Sequence, residues 1–183
     1  LGKAGKKITQ RDMELLLTKT GTDMGNLRME MEKLISYTEG RDVVTAEDIE
    51  EICTTQTTNR IFDMVRAVTE KNQKRALELY YDLLTLKEPP MRILFLLAKQ
   101  YRQLLLAKQF AAAGLAQTEI ASKLGVPGFV VRNITTCARA YTISELEQAV
   151  KDFVDAEESV KTGRLEDKLS VELLIIKYSS KVK

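Results

Sequence analysis

The chain has 183 residues, 44% of them hydrophobic and 30% charged, with a formal net charge of +2 and no histidine. That length allows one good core or two small domains, and no apolar run approaches the ~20 residues that a membrane-spanning helix needs. The missing histidine removes the usual general base, the usual zinc partner of cysteine, and the Ser-His and Cys-His couples. The glycines and lysines between Gly2 and Lys7 do not have GxxxxGK[ST] spacing, and no GxGxxG follows a strand. No catalytic residue, cofactor site or metal site is therefore expected. Cys53 and Cys137 form neither a disulfide framework nor a metal spacing, which fits a reducing compartment.

The opening LGKAGKKITQ has no apolar signal-peptide core and does not begin with Met, so the chain is expected to be a piece of something longer, with a frayed start. Thr9, with Asp12 three residues on, forms a capping box for a first helix whose Met13, Leu16 and Leu17 share a face before Gly21. Asp23 caps a second helix carrying Leu27, Met31, Leu34 and Ile35, ending by Gly40. Thr45 caps a third that runs to about Cys53, with Asp48 at its third position and Val44 stapled onto Ile49. The polar stretch Thr54 to Asn59 reads as a linker.

Two helices follow, Arg60 to Lys71 and Gln73 to Thr85. The central helix spans Met91 to Ala113, entered through Pro89 and Pro90 and closed by Gly114, which is where proline and glycine are tolerated. Ile93, Leu94, Leu97, Tyr101, Leu104 and Leu105 make its core stripe. Phe95, Leu96 and Leu106 fall on another side at about 100° per residue, beside Arg92, Lys99, Arg102 and Gln103. A central bundle helix needs cover on several sides, and the second face is also suited to another chain. Short helices are expected at Thr118 to Leu124 and Phe129 to Tyr141, around a Gly125-Val126-Pro127-Gly128 turn. Thr142 and Glu145 cap a long amphipathic helix ending at Lys161-Thr162-Gly163, and a last helix covers Asp167 to about Ser179. No strand is expected; the fold class is all-α.

Charge is uneven: residues 86–141 carry +6, and each flank carries −2. Within that basic segment, Glu119 to Val126 followed by Phe129 to Ile134 has the small residue, glycine turn and packing valine of a helix-turn-helix. Lys123, Arg132 and Asn133 are its candidate DNA contacts. Any tight helix pair needs the same three features, so a DNA-binding regulator stands as the alternative function.

Other residues carry a resemblance over nearly the whole chain. Gly21-Thr22-Asp23 through Glu30, Glu32-Lys33-Leu34, Tyr37 and Val44 to Ile49 resemble the opening run of the bacterial DNA polymerase III delta subunit family. Ile61-Phe62, Lys74-Arg75-Ala76-Leu77, Tyr81-Asp82-Leu83-Leu84, Lys87-Glu88-Pro89-Pro90, Ile93-Leu94 and Gln100 to Leu104 are similar to that family's passage from lid to collar. Ile120 to Leu124, Ala138 to Tyr141 and Lys161 to Gly163 continue the match; Pro127-Gly128-Phe129 departs from the family's frequent His-Pro-Phe.

The resemblance implies an AAA+ lid-like three-helix domain over residues 1–55 and a helical collar over 56–183. It implies a non-catalytic role in assembling the clamp loader, with polymerase activity belonging to the holoenzyme. The implied partners are motor (gamma/tau) and delta-prime subunits through the collar, the sliding clamp through an amino-terminal domain expected before Leu1, and DNA in the assembled complex. The implied setting is the cytoplasm, at the bacterial replisome. Phe95, Leu96, Lys99, Arg102 and Leu106 are the residues that would meet a neighbouring collar.

Overall fold

The computed structural model describes residues 1–21, 23–53 and 57–180, except for the side chains of 57–59. Thr22, half of the expected linker (54–56) and the basic tail 181–183 lie outside the described residues. All regular structure among the described residues is helical, as expected; the one pairing of extended backbone is an isolated bridge between Lys7 and Val43. The chain divides into two compact units, Leu1–Asn59 and Arg60–Lys183.

In unit 1, helices α1 (Gln10–Thr20), α2 (Met24–Tyr37) and α3 (Ala46–Ile52) enclose Leu16, Leu27, Leu34, Val44, Ile49 and Cys53. Each helix begins on the cap its sequence offers: Thr9 accepts from the Asp12 N–H at 3.1 Å, Asp23 from Asn26 at 2.8 Å, and Thr45 forms a full capping box with Asp48. Such caps satisfy first-turn N–H groups and contribute about 1 kcal/mol each. Lysines do the corresponding work at carbonyl ends. Lys19 Nζ donates to the carbonyls of Ile49 and Glu50, and Lys6 Nζ to those of Thr38 and Arg41. Together with the Lys7–Val43 bridge, Lys6 pins the opening segment, which the sequence had suggested would fray.

Unit 2 begins within α4 (Thr57–Thr69), so Thr57 to Asn59, expected in the linker, instead form a helical first turn. After α5 (Gln73–Thr85) comes the long α6 (Pro90–Ala112), then α7 (Gln117–Leu124), α8 (Gly128–Ala138), α9 (Ile143–Lys161) and α10 (Asp167–Ser179). The α7–α8 turn is shorter than its sequence suggested. Gly125 takes the left-handed φ of 64°, while Gly128 already opens α8 behind Pro127. Helix α8 stops at Ala138, three residues before the expected Tyr141.

Helix α6 is the axis of this unit: α7, α8, α9 and α10 all pack on it. Its Ile93, Leu94, Leu97, Tyr101, Leu104 and Ala107 are buried, and each large apolar side chain so placed contributes roughly 1.5–3 kcal/mol. Around Tyr101 the core becomes aromatic and polar. The Tyr101 hydroxyl lies 3.1 Å from that of Tyr141, and its ring sits 5.0 Å from Phe153 and 5.5 Å from Tyr178. Tyr178 donates to Asp152 Oδ2, which also receives Lys177 Nζ at 2.5 Å. Burial raises the Tyr101 phenol well above its ordinary range and pushes Tyr141 up to about 12. Burial alone would raise Asp152 too, but hydrogen bonds from Lys177, Tyr178 and Gln148 outweigh it and hold the carboxyl below its usual value.

Two lysines close helices in the left-handed conformation that usually selects glycine, Lys71 at φ 56° and Lys87 at φ 60°. In both, the following N–H returns to a carbonyl five residues back: Asn72 to Ala67 and Glu88 to Leu83. Lys71 has a second task, since its Nζ donates to the Tyr178 carbonyl at 3.0 Å and lies 5.4 Å from the Tyr141 ring centroid.

Candidate partner interface

The outward side of α6 is built by the same periodicity that builds its inward stripe. At about 100° per residue, Phe95, Lys99, Arg102 and Leu106 fall within one narrow arc running along the middle of the helix. Phe95 is 64% exposed. Lys99 and Arg102 are exposed and enter no ion pair among the described residues, whereas Arg92, nearer the start, is paired with Glu88 at 3.2 Å. Leu106 is half-buried on the same arc. Leu96 is placed differently from its sequence expectation. It lies on the flank of the helix, half-buried and packed against the unit 2 core, so it supports the face from beneath rather than forming it.

The arc thus offers one large exposed ring flanked by two cations, with an aliphatic side chain a turn further on. An aromatic anchor beside arginine is the composition that protein interfaces favour at their centres. Among the described residues no three His, Cys, Asp or Glu side chains gather as a metal site, and no helix is long and apolar enough to cross a membrane.

The basic segment divides on inspection. Lys108 donates to the Ala138 carbonyl at 2.9 Å, Lys123 lies 5.6 Å from the Phe110 ring centroid, and Arg92 has its carboxylate. These lysines and this arginine hold α6, α7 and α8 in place as much as they charge the surface. Arg132 and Asn133, in the middle of α8, are exposed, while Val131 and Ile120 between α7 and α8 are buried. The α7–α8 pair therefore packs as the sequence implied, around the unit 2 core.

What the fold and this face define is an all-helical protein of two units, the larger carrying an exposed aromatic ring beside two cations on its central helix. Its kinship is specific. Residues 58–178 match the family model for the DNA polymerase III delta subunit, C-terminal domain, and the chain belongs to that family. It is 27% identical over 171 residues to the DNA polymerase III subunit delta of Bacillus subtilis (strain 168), an alignment covering 93% of this chain and 49% of that one. The probable DNA polymerase III subunit delta of Aquifex aeolicus (strain VF5) is 23% identical over 123 residues, covering 67% of this chain and 35% of that one. The solved Bacillus subtilis DNA clamp loader delta protein (YqeN) superposes with a TM-score of 0.87 at 26% identity, covering 98% of this chain and 53% of that one. The chain thus spans about half the length of the first curated relative. The family model runs through α7 and α8 as parts of one delta-subunit domain, so the alternative of a helix-turn-helix regulator is not favoured.

Proposed function

We propose that this chain supplies the lid-like and collar portions of a clamp-loader delta subunit, and that its own task is assembly rather than catalysis. Residues 1–55 act as the AAA+ lid-like domain, and residues 56–183 as the collar. The collar joins motor (gamma/tau) and delta-prime subunits in the bacterial cytoplasm, within the complex that loads the sliding clamp on primed DNA. Contact with the clamp itself is the work of an amino-terminal domain of the whole subunit. The observation that carries the reading is the exposed Phe95 between Lys99 and Arg102 on α6, the central helix of the unit that matches the delta C-terminal family. Membership in the delta-subunit family supports the choice of clamp-loader partners for that face.

The test is size-exclusion chromatography with light scattering of this chain mixed with gamma/tau and delta-prime subunits of the same loader. A stoichiometric complex larger than any component is expected. Elution of the chain at its own mass beside folded partners would contradict the proposal.

A further inference from the structure

Helix α10 is apolar on two sides. Val171, Leu174 and Ile175 face the unit 2 core and are buried. On the opposite side Leu169 and Leu173 are 42% and 47% exposed, in line with half-buried Ile176 and exposed Ser180. The steps between these four positions are four, three and four residues, the spacing of the a and d seam of a two-stranded coil.

The charges beside that seam give it a direction. Glu172 and Lys177 flank it on opposite sides, five residues apart, where parallel helices exchange interhelical ion pairs. Two copies of α10 laid side by side and parallel bring each Glu172 against the other's Lys177; laid antiparallel they bring like charge against like. Both side chains are held at the edge of the stripe. Tyr81 of α5, itself 48% exposed, donates to Glu172 Oε1 at 2.9 Å, and Asp152 of α9 holds Lys177.

We propose that the outer stripe of α10 is a self-association surface, on which a second copy of this chain docks its own α10 side by side and parallel about a two-fold axis. The stripe is about 16 Å long, roughly a heptad and a half, and buries less than the roughly 800 Å² per partner of a standard interface. The dimer is therefore weak, populated at tens to hundreds of micromolar on the order-of-magnitude affinity scale. The stripe lies on a different helix from the Phe95 face.

Sedimentation equilibrium of the whole chain, from ~5 to ~500 µM at low salt, reads the association directly. The weight-average mass should rise from 20.7 kDa toward twice that value. Leu173→Glu should remain monomeric throughout with an unchanged circular dichroism spectrum, its side chain being exposed. Orientation is read by oxidative cross-linking, because Cys53 and Cys137 are buried. Leu169→Cys and Leu173→Cys should each form homodimeric disulfides, since parallel pairing sets each position opposite itself. A wild-type mass that stays monomeric at ~500 µM would overturn the proposal. So would association of Leu173→Glu equal to wild type, or a disulfide formed only between the two variants when mixed.

Discussion

The two left-handed lysines make a matched pair whose responses to the same substitution should have opposite sign. A non-glycine residue in the left-handed region costs about 1–2 kcal/mol, and glycine returns about 0.5–1 kcal/mol of that as chain entropy in the unfolded state. At Lys87, φ 60°, the side chain is exposed and makes no hydrogen bond or ion pair among the described residues. Lys87→Gly should therefore stabilise by about 0.5–1 kcal/mol. At Lys71, φ 56°, the same relief is opposed by loss of the 3.0 Å bond from Nζ to the Tyr178 carbonyl and of the contact with the Tyr141 ring. A hydrogen bond from a charged donor contributes about 1.5–3 kcal/mol, and a cation over an aromatic ring about 0.5–1 kcal/mol at a partly exposed site. Lys71→Gly should thus destabilise by about 1–3 kcal/mol net. Urea unfolding of the two variants against wild type measures both, since a change in midpoint at constant slope is a change in stability. If both glycines stabilise equally, the Lys71 contacts contribute nothing and the account of why lysine stands there is wrong.

Other expectations follow from the same physics. Thr142→Ala removes the hydroxyl that accepts from the Glu145 N–H at 3.1 Å and should cost about 1 kcal/mol in the unfolding midpoint. Leu97→Ala, in the buried stripe of α6, should cost about 2–5 kcal/mol, whereas Leu106→Glu on the outward arc should leave the monomer helical and impair assembly; equal unfolding by Leu97→Glu and Leu106→Glu would remove Leu106 from the surface. Asp152 and Glu145 are held below their ordinary values in the folded chain, so their contribution is present above the unfolded carboxylate range near pH ~4 and lost as pH falls through the lower folded values. Tyr141 has the opposite sense: pushed up to about 12, it favours the fold until pH rises past the unfolded phenol value of ~10, and that contribution is gone above the folded one. Urea midpoints followed from pH 3 to 12 check both limbs, with Asp152→Asn flattening the acid one. In the assembled complex, Arg132→Ala should weaken DNA binding and reduce its salt slope by about 1 if Arg132 meets a phosphate; an unchanged slope would assign Arg132 to the protein surface alone.

The helices were legible because their ends are written in local chemistry. Thr9, Asp23, Thr45 and Thr142 start helices where the sequence places them, and Pro90 and Gly114 bracket α6. Local rules failed where long-range contacts decide. Lys71 and Lys87 end helices without the glycine signal, and Thr57 to Asn59 are helical although their types favour loops. The opening segment is held by Lys6 reaching carbonyls more than thirty residues away, which no periodicity encodes. At the candidate face, angle alone placed Phe95, Lys99 and Arg102 outward; it did not distinguish Leu96, whose flank position is covered by the unit 2 core. Nor did charge counting reveal that Lys108 and Lys123 are engaged with Ala138 and Phe110. The exposed stripe of α10 had a visible signal, apolar residues on every side of one helix, whose outer leucines, Leu169 and Leu173, stay 42% and 47% exposed.

The most direct test of the assembly role is the affinity of this chain for gamma/tau and delta-prime subunits, measured by calorimetry for wild type and for Phe95→Ala combined with Arg102→Glu. Removing an aromatic anchor and reversing the adjacent charge should weaken binding at least about tenfold, with folding untouched because both side chains are exposed. Unchanged affinity in the double variant would contradict the claim that α6 carries the interface.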